Sequence, residues 1–290
     1  MTPIQDLENW MGKLPEEVRQ SSGLQSILLP ASHQSAAFKF DYKASTKRFS
    51  WIPRIRHNFE ADNLCQELNL TQQLRAGIRH FEFQLAKVAS DSSLYVCHQL
   101  PCIPAMDAIR EIVSYLDHHK GELVVLRLEA DAQLPSVELE TFLLHLDVYY
   151  DYILMRPPAS ENEPSIEQLC KSNKRLLISC AASTTVPWCW NRNVGKAVAV
   201  IGHLSDKMNV LPLASTQSKN DIWRILSLAP KTIEKGDTLF WSSRRSQKQF
   251  LIEGYRSINF SQFHAVEANF PHPKFIEYII RENYRIKGGK

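Results

Sequence analysis

Apolar residues along the chain fall into short runs set between polar, charged or proline-bearing stretches, and the period of each run predicts its element. Ile27, Leu28 and Leu29 predict a buried strand over 26–30, broken at Pro30. Residues 78–85 alternate strictly: Arg79, Phe81, Phe83 and Leu85 share one face, and His80, Glu82 and Gln84 share the other. Residues 94–98 predict a third strand. A fourth covers 122–129, with Val125, Arg127 and Glu129 on one face and Leu126 and Leu128 on the other. Helical spacing predicts helices over 6–19, over 60–75 (Leu64, Leu68, Leu74) and over 105–118 (Met106, Ile109, Ile112, Val113, Leu116). Gly77 is placed to end the second of these. Past residue 150 the pattern is ragged. Strands are predicted at 152–155, 176–180, 211–216 and 257–263, and helices near 165–173, 219–228 and 273–283.

Strands interleaved with helices read as an α/β fold, and about eight such strands suit a barrel. The expectation is a distorted TIM-type (β/α)8 barrel, with helices missing or displaced in its second half, in one domain spanning 1–290. In such a barrel, reacting groups gather at the carboxyl ends of the strands. His33 lies just past the first strand and His98 ends the third; Glu82 and Glu129 lie near the ends of the second and fourth.

Two histidines facing one pocket suit displacement at phosphorus, one taking the proton of the attacking hydroxyl and the other giving a proton to the leaving oxygen. Charge on the phosphate oxygens calls for a cation. Glu82 and Glu129 are candidate ligands for calcium (Ca2+), with amide oxygens from Gln34 and Gln84 beside them, or Arg127 supplies the cation directly. Plainer roles compete: Glu82, Arg127 and Glu129 as an inward ion pair bracing the barrel, His80 as a hydrogen-bonded core residue, His118 and His119 on a solvated helix end, and Arg244, Arg245 and Lys248 on a solvated face.

Composition narrows the class. A hydrophobic content of 44% supports a real core and excludes global disorder. A net charge of +3 gives no general argument for nucleic acid. The six cysteines form no C-x-x-C pair, so neither a zinc ribbon nor a thioredoxin-type site is indicated, and reduced thiols in a cytosol are the simplest reading. Met1 to Met11 carries no secretory signal, and no run is long enough to cross a bilayer. The expected location is cytoplasmic or peripheral to a membrane, with signal-less export as the other route.

The order of these pieces resembles the X-domain family of phosphatidylinositol-specific phospholipase C, particularly its bacterial-like and X-domain-only branches. The resemblance rests on Pro30-Ala31-Ser32-His33-Gln34-Ser35, on Gly77-Ile78-Arg79-His80-Phe81-Glu82, on Tyr95-Val96-Cys97-His98 and on Gly121 through Glu129. It is good over 8–130 and weak beyond, where Ser215-Thr216-Gln217 and the stretch 257–263 carry it. It implies cleavage of an inositol phospholipid or related phosphodiester by internal attack of the inositol 2-hydroxyl, with His33 as general base and His98 as general acid. Glu82 matches the acidic residue of the second strand and Glu129 a metal-ligand position of the calcium-dependent branch. Gln34, Gln84, Arg127 and Gln262 are the expected phosphate- or substrate-binding groups.

Three positions depart from the family pattern. Gln34 stands where Asp or Asn is usual, Gln84 where Arg or Asp is usual, and Gln262 is the nearest match to an Asp that pairs with the first His. The loop 36–58 interleaves aromatics with cations, and Phe40, Lys43, Lys47, Arg48, Trp51 and Arg54 are its expected contacts with an anionic bilayer. The other reading of that loop packs its aromatics onto the barrel. A catalytically impaired relative that binds a phospholipid headgroup or a protein partner is the alternative function. A metal-dependent glycerophosphodiesterase or sphingomyelinase D-like barrel is a third.

Overall fold

The computed structural model of the chain describes residues 4, 6–44, 63–88, 93–156, 163–182, 184–191, 194–200, 209–210, 223–229, 239–252 and 258–288. In chain order, helix α1 is Glu16–Ser21, β1 Leu29–Ser32, α2 Leu70–Arg75, β2 His80–Lys87, β3 Leu94–His98, β4 Leu100–Pro104, α3 Ala105–His118 and β5 Val124–Ala130. Then come α4 Ser136–His145, α5 Ile166–Lys171, β6 Leu176–Cys180, β7 Trp190–Asn191, β8 Val194–Val200, β9 Asn209–Val210, β10 Trp223–Ser227, α6 Leu239–Ile252, β11 Ala265–Ala268 and α7 Pro273–Gly288.

Eight strands join in one parallel ladder in the order β7-β6-β5-β2-β1-β11-β10-β8. Strand β1, near the start of the chain, pairs with β11, near its end, so the two halves are zipped together at the ladder's middle. This is an α/β fold of the TIM-barrel-like kind. The pairing of β7 with β8 that would close it into a ring is not among the described ladders.

The local chemistry explains most elements. A capping box starts α2, where Asn69 accepts from the Gln72 N–H and the Gln72 side chain bonds back to Asn69; Ser165 and Gln168 do the same for α5. Helix α3 follows its apolar stripe, burying Ala108, Ile109, Ile112, Val113 and Leu116. Gly77 is required twice over: its φ is +102°, and a Cβ there would lie 3.1 Å from both Ile276 and Ile280 on α7.

At the amino-terminal end of the ladder, a fully buried ion pair ties the N-terminal segment down. Arg79 Nε and Nη2 reach Glu122 at 2.8 and 2.6 Å, and its remaining donors go to the carbonyls of Leu74, Ile78 and Glu8. Glu122 also accepts the backbone N–H groups of Met11 and Gly12. Above this layer, His80 stacks on Trp223 and Trp223 on His264, so His80 has the core role.

Several expected elements move. Strand β1 runs through Pro30 because Leu29 and His33 donate toward the β11 side, while pairing with β2 starts only at Ala31; the missing donor falls at a ladder end. Residues 94–98 are not a barrel strand: β3 and β4 form an antiparallel extension on β2. The expected strand 152–155 shrinks to one bridge, Ile153 to Leu176. Residues 223–227, expected in a helix, are β10, with Trp223, Ile225 and Leu226 all buried. The expected strand 257–263 holds a short 3-10 turn, Phe260–Gln262, and the true strand follows at 265. Helices α4 and α6 were not anticipated. The expected strand 211–216 lies outside the described residues.

Candidate active site at the carboxyl ends of the strands

The turn after β1 is clamped from both sides. The His33 N–H donates to Ala268 O of β11 at 3.1 Å, and the Ser35 N–H donates to Glu82 O of β2 at 3.1 Å. Ser35 Oγ accepts the Glu82 N–H at 2.9 Å and itself donates to Ser32 O at 2.9 Å. Gln66 Nε2 donates to His33 O at 2.6 Å and Gln73 Nε2 to Ser35 O at 2.8 Å. Gln34 takes a left-handed φ of +47°, which lets the chain turn sharply here. Small residues and buried amides thus hold His33 over the ladder between β2 and β11.

Two buried carboxylates meet it, and an arginine lies behind one of them. His33 Nδ1 bonds to Glu82 Oε2, and Glu267 Oε1 lies 3.7 Å from the same nitrogen. Glu82 is 1% exposed and Glu267 is fully buried. Arg127 Nη1 donates to Glu82 Oε1 at 2.7 Å, and its Nη2 pairs with Glu129. This follows from register: Glu82 sits opposite Arg127 and Gln84 opposite Glu129 across β2 and β5, while Glu267 sits opposite Ala31 of β1. A carboxylate on Nδ1 makes that nitrogen the N–H, so Nε2 carries the basic lone pair.

His98 ends β3 at a tight turn whose next residue, Gln99, has a φ of +62°. Burial first, then the charge of His33, pushes the His98 imidazole down to about 4, against an opposing pull from Glu82. The imidazole is therefore neutral at pH 7.

The chain brings His33, Glu82, Arg127 and Glu129 into one network, and Gln34 touches it through an N–H 3.4 Å from Glu82 Oε2. Gln84 is half-buried opposite Glu129. Gln262 does not join: it is exposed in the 3-10 turn. The acid that meets the first histidine is Glu267, because β11 begins at residue 265 and points that side chain toward His33. Its signal was readable as one acid inside a buried run, Ala265-Val266-Glu267-Ala268.

Between Glu82 and Glu129 lies the Arg127 guanidinium, which bonds to both. The described His/Glu group able to hold a metal ion is instead His33, Glu82 and Glu267, whose ligand atoms all lie within 4.8 Å of one another. In the basic-aromatic loop, Phe40 is only 7% exposed and packs edge-on to Tyr42, so it belongs to the core and not to a membrane face. Lys43 is exposed. Lys47, Arg48, Trp51 and Arg54 lie outside the described residues. Among the described residues, no helix is long and apolar enough to cross a membrane.

Comparison with known proteins places these features. Residues 58–192 match the family model described as PI-PLC X 1. The chain is similar to human "PI-PLC X domain-containing protein 2", 24% identical over 194 residues that cover 63% of each protein. It is likewise similar to bovine "PI-PLC X domain-containing protein 3", 28% identical over 199 residues, covering 63% of this chain and 60% of that one. The matched part is thus under two thirds of those relatives' length. In fold, it resembles the phosphatidylinositol-specific phospholipase C from Listeria monocytogenes, with a TM-score of 0.61 at 14% identity over 95% of this chain and 98% of that one. A Staphylococcus aureus phosphatidylinositol-specific phospholipase C gives 0.63 at 14% identity over 95% and 97%.

Proposed function

The chain belongs to the PI-PLC X-domain family, and from that premise we propose that it is a phospholipase C-like phosphoric diester hydrolase or lyase acting on an inositol phospholipid or a related phosphodiester. The observation that carries the reading is His33, oriented through Nδ1 by the buried Glu82, with Glu267 beside it.

In this mechanism His33 Nε2 takes the proton of the inositol 2-hydroxyl as its oxygen attacks phosphorus. The bond from phosphorus to the lipid oxygen breaks, and that oxygen takes a proton from His98. His98 is neutral in the free site; an anionic phosphodiester arriving beside it favours its charged form and loads the acid with the substrate. Among the described residues, Arg127, held between Glu82 and Glu129, is the cation we assign to the developing phosphate charge. It stands in for the cation that Gln84 cannot supply. The exposed Lys43 remains as a contact for an anionic membrane surface.

A second reading keeps the pocket for headgroup or protein-partner binding without turnover; the neutral Gln34 and Gln84 favour it. Incubation with phosphatidylinositol vesicles, followed by phosphorus NMR of the soluble products, separates the two. Catalysis predicts a cyclic inositol phosphate that is lost in both His33→Ala and His98→Ala and that persists in chelator. Vesicle binding with no product leaves the binder; product from either alanine variant at the natural rate overturns the two-histidine assignment.

A further inference from the structure

The reactive histidine shares its Nδ1 side with two buried carboxylates. We propose that His33, Glu82 and Glu267 form an inhibitory binding site for a zinc-class divalent metal ion. The inference deepens the reading of this site given above, and the consequence for turnover rests on it.

The donor set selects the ion. Calcium takes six to eight ligands, all oxygen, whereas this group offers one imidazole nitrogen and two carboxylates. That set suits zinc and its first-row neighbours, which bind imidazole and carboxylate together and leave a fourth position for water. Bonds of about 2.1 Å in a tetrahedron put neighbouring ligand atoms roughly 3.4 Å apart. His33 Nδ1 and Glu267 Oε1, 3.7 Å apart, already meet that spacing, and all three ligand atoms fall within 4.8 Å of one another. His33 Nδ1 and Glu82 Oε2 are closer, joined by a hydrogen bond that the ion replaces as the two atoms move apart.

Its ligands are also held in orientation from outside. Arg127 holds Glu82 by its other oxygen, so Oε2 stays aimed at His33. Gln66 fixes the His33 backbone through its carbonyl. Such outer contacts orient ligands before the ion arrives. His33 is 23% exposed in its side chain while both carboxylates are buried, so the imidazole is the side from which an ion approaches.

Binding inverts the chemistry of His33. As a base it needs its proton on Nδ1, bonded to a carboxylate, and its lone pair on Nε2. A metal on Nδ1 takes that nitrogen's lone pair and moves the ring proton to Nε2. The ring stays neutral, so no proton is gained or lost overall, but Nε2 becomes a donor and can no longer accept the proton of an attacking hydroxyl. Occupancy therefore stops base catalysis, the opposite of what calcium between Glu82 and Glu129 would do.

The test uses zinc ion and the full chain. Competition with a chromophoric chelator reads affinity for the natural protein, Glu267→Gln and His33→Ala, with circular dichroism confirming that each variant folds. The expected result is one zinc per chain, weakened by more than about 10-fold in Glu267→Gln, since even loss of a partner outside the ligand set costs about 10- to 100-fold. Nitrogen-15 NMR of the natural protein needs no variant and should show the His33 proton moving from Nδ1 to Nε2 as zinc is added. Phosphodiesterase activity should fall in step with occupancy and return with chelator. No binding, binding unchanged in both variants, an unmoved tautomer, or activity that rises with zinc would each overturn the proposal. Zinc bound with the tautomer shift in a protein that shows no turnover without metal keeps the site and removes the hydrolase reading. Turnover without any zinc binding does the reverse.

Discussion

Replacing Arg127 with Met tests the centre of the network. Arg127 donates to Glu82, which is 1% exposed, and pairs with Glu129, whose side chain is 30% exposed. Methionine fills the volume but leaves Glu82 charged, buried and without its cation. Breaking a buried pair from one side costs about 3–5 kcal/mol; the more exposed Glu129 contact adds little. Unfolding entropy of about 2.1 cal/mol/K per residue gives this 290-residue chain roughly 0.6 kcal/mol/K. The expected fall in Tm is therefore about 5–8 K. The double variant Arg127→Met/Glu82→Gln removes the stranded charge as well and should recover at least half of that loss, a coupling that only contacting residues show. Scanning calorimetry of the four proteins at pH 7 reads both numbers. The same Arg127→Met variant should lose about 100- to 1,000-fold in kcat if the guanidinium stabilises phosphate charge. A Tm within 1 K of the natural chain, or a double variant whose loss equals the sum of the singles, refutes the network as drawn.

Two further outcomes follow from other groups. His98 is held at about 4 against an ordinary value of 6.5, so the folded state binds fewer protons than the unfolded one between those pH values. Stability from this group is complete above pH 6.5 and is lost as pH falls toward 4, by at most about 3 kcal/mol. Urea titrations at pH 7 and 4.5 should show a smaller acid loss in His98→Asn, and equal losses would remove His98 from its buried setting. Arg79→Met strands the fully buried Glu122 and frees the N-terminal segment, so it should cost about 3–5 kcal/mol in urea with KM unchanged. A loss under about 1 kcal/mol would show that the pair does not anchor this end of the ladder.

Period and sign were legible wherever one strand carried its own information. The alternation of 78–85 put Glu82 on the face opposite Phe81 and Phe83, and that of 122–129 put Arg127 and Glu129 together; register then made them neighbours across β2 and β5. The stripe of 105–118 matches helix α3 because its apolar residues repeat at helical spacing within one unbroken segment. His33 stood out because an apolar run stops just before it.

What the chain alone could not determine depended on partners distant in sequence. Nothing local says that β1 pairs with β11, yet that pairing brings Glu267, 234 positions away, to His33. Without it, Gln262 was the nearest polar residue at a wrongly placed strand end, and a short slip moves a different side chain into the site. Residues 223–227 show the same limit: a run buried on both faces has no period to distinguish strand from helix. That Arg127 bridges Glu82 and Glu129 is also visible only in three dimensions. The spacing of the carboxylates along each strand is the same with or without it, and it is the reach of the guanidinium across the ladder that joins them.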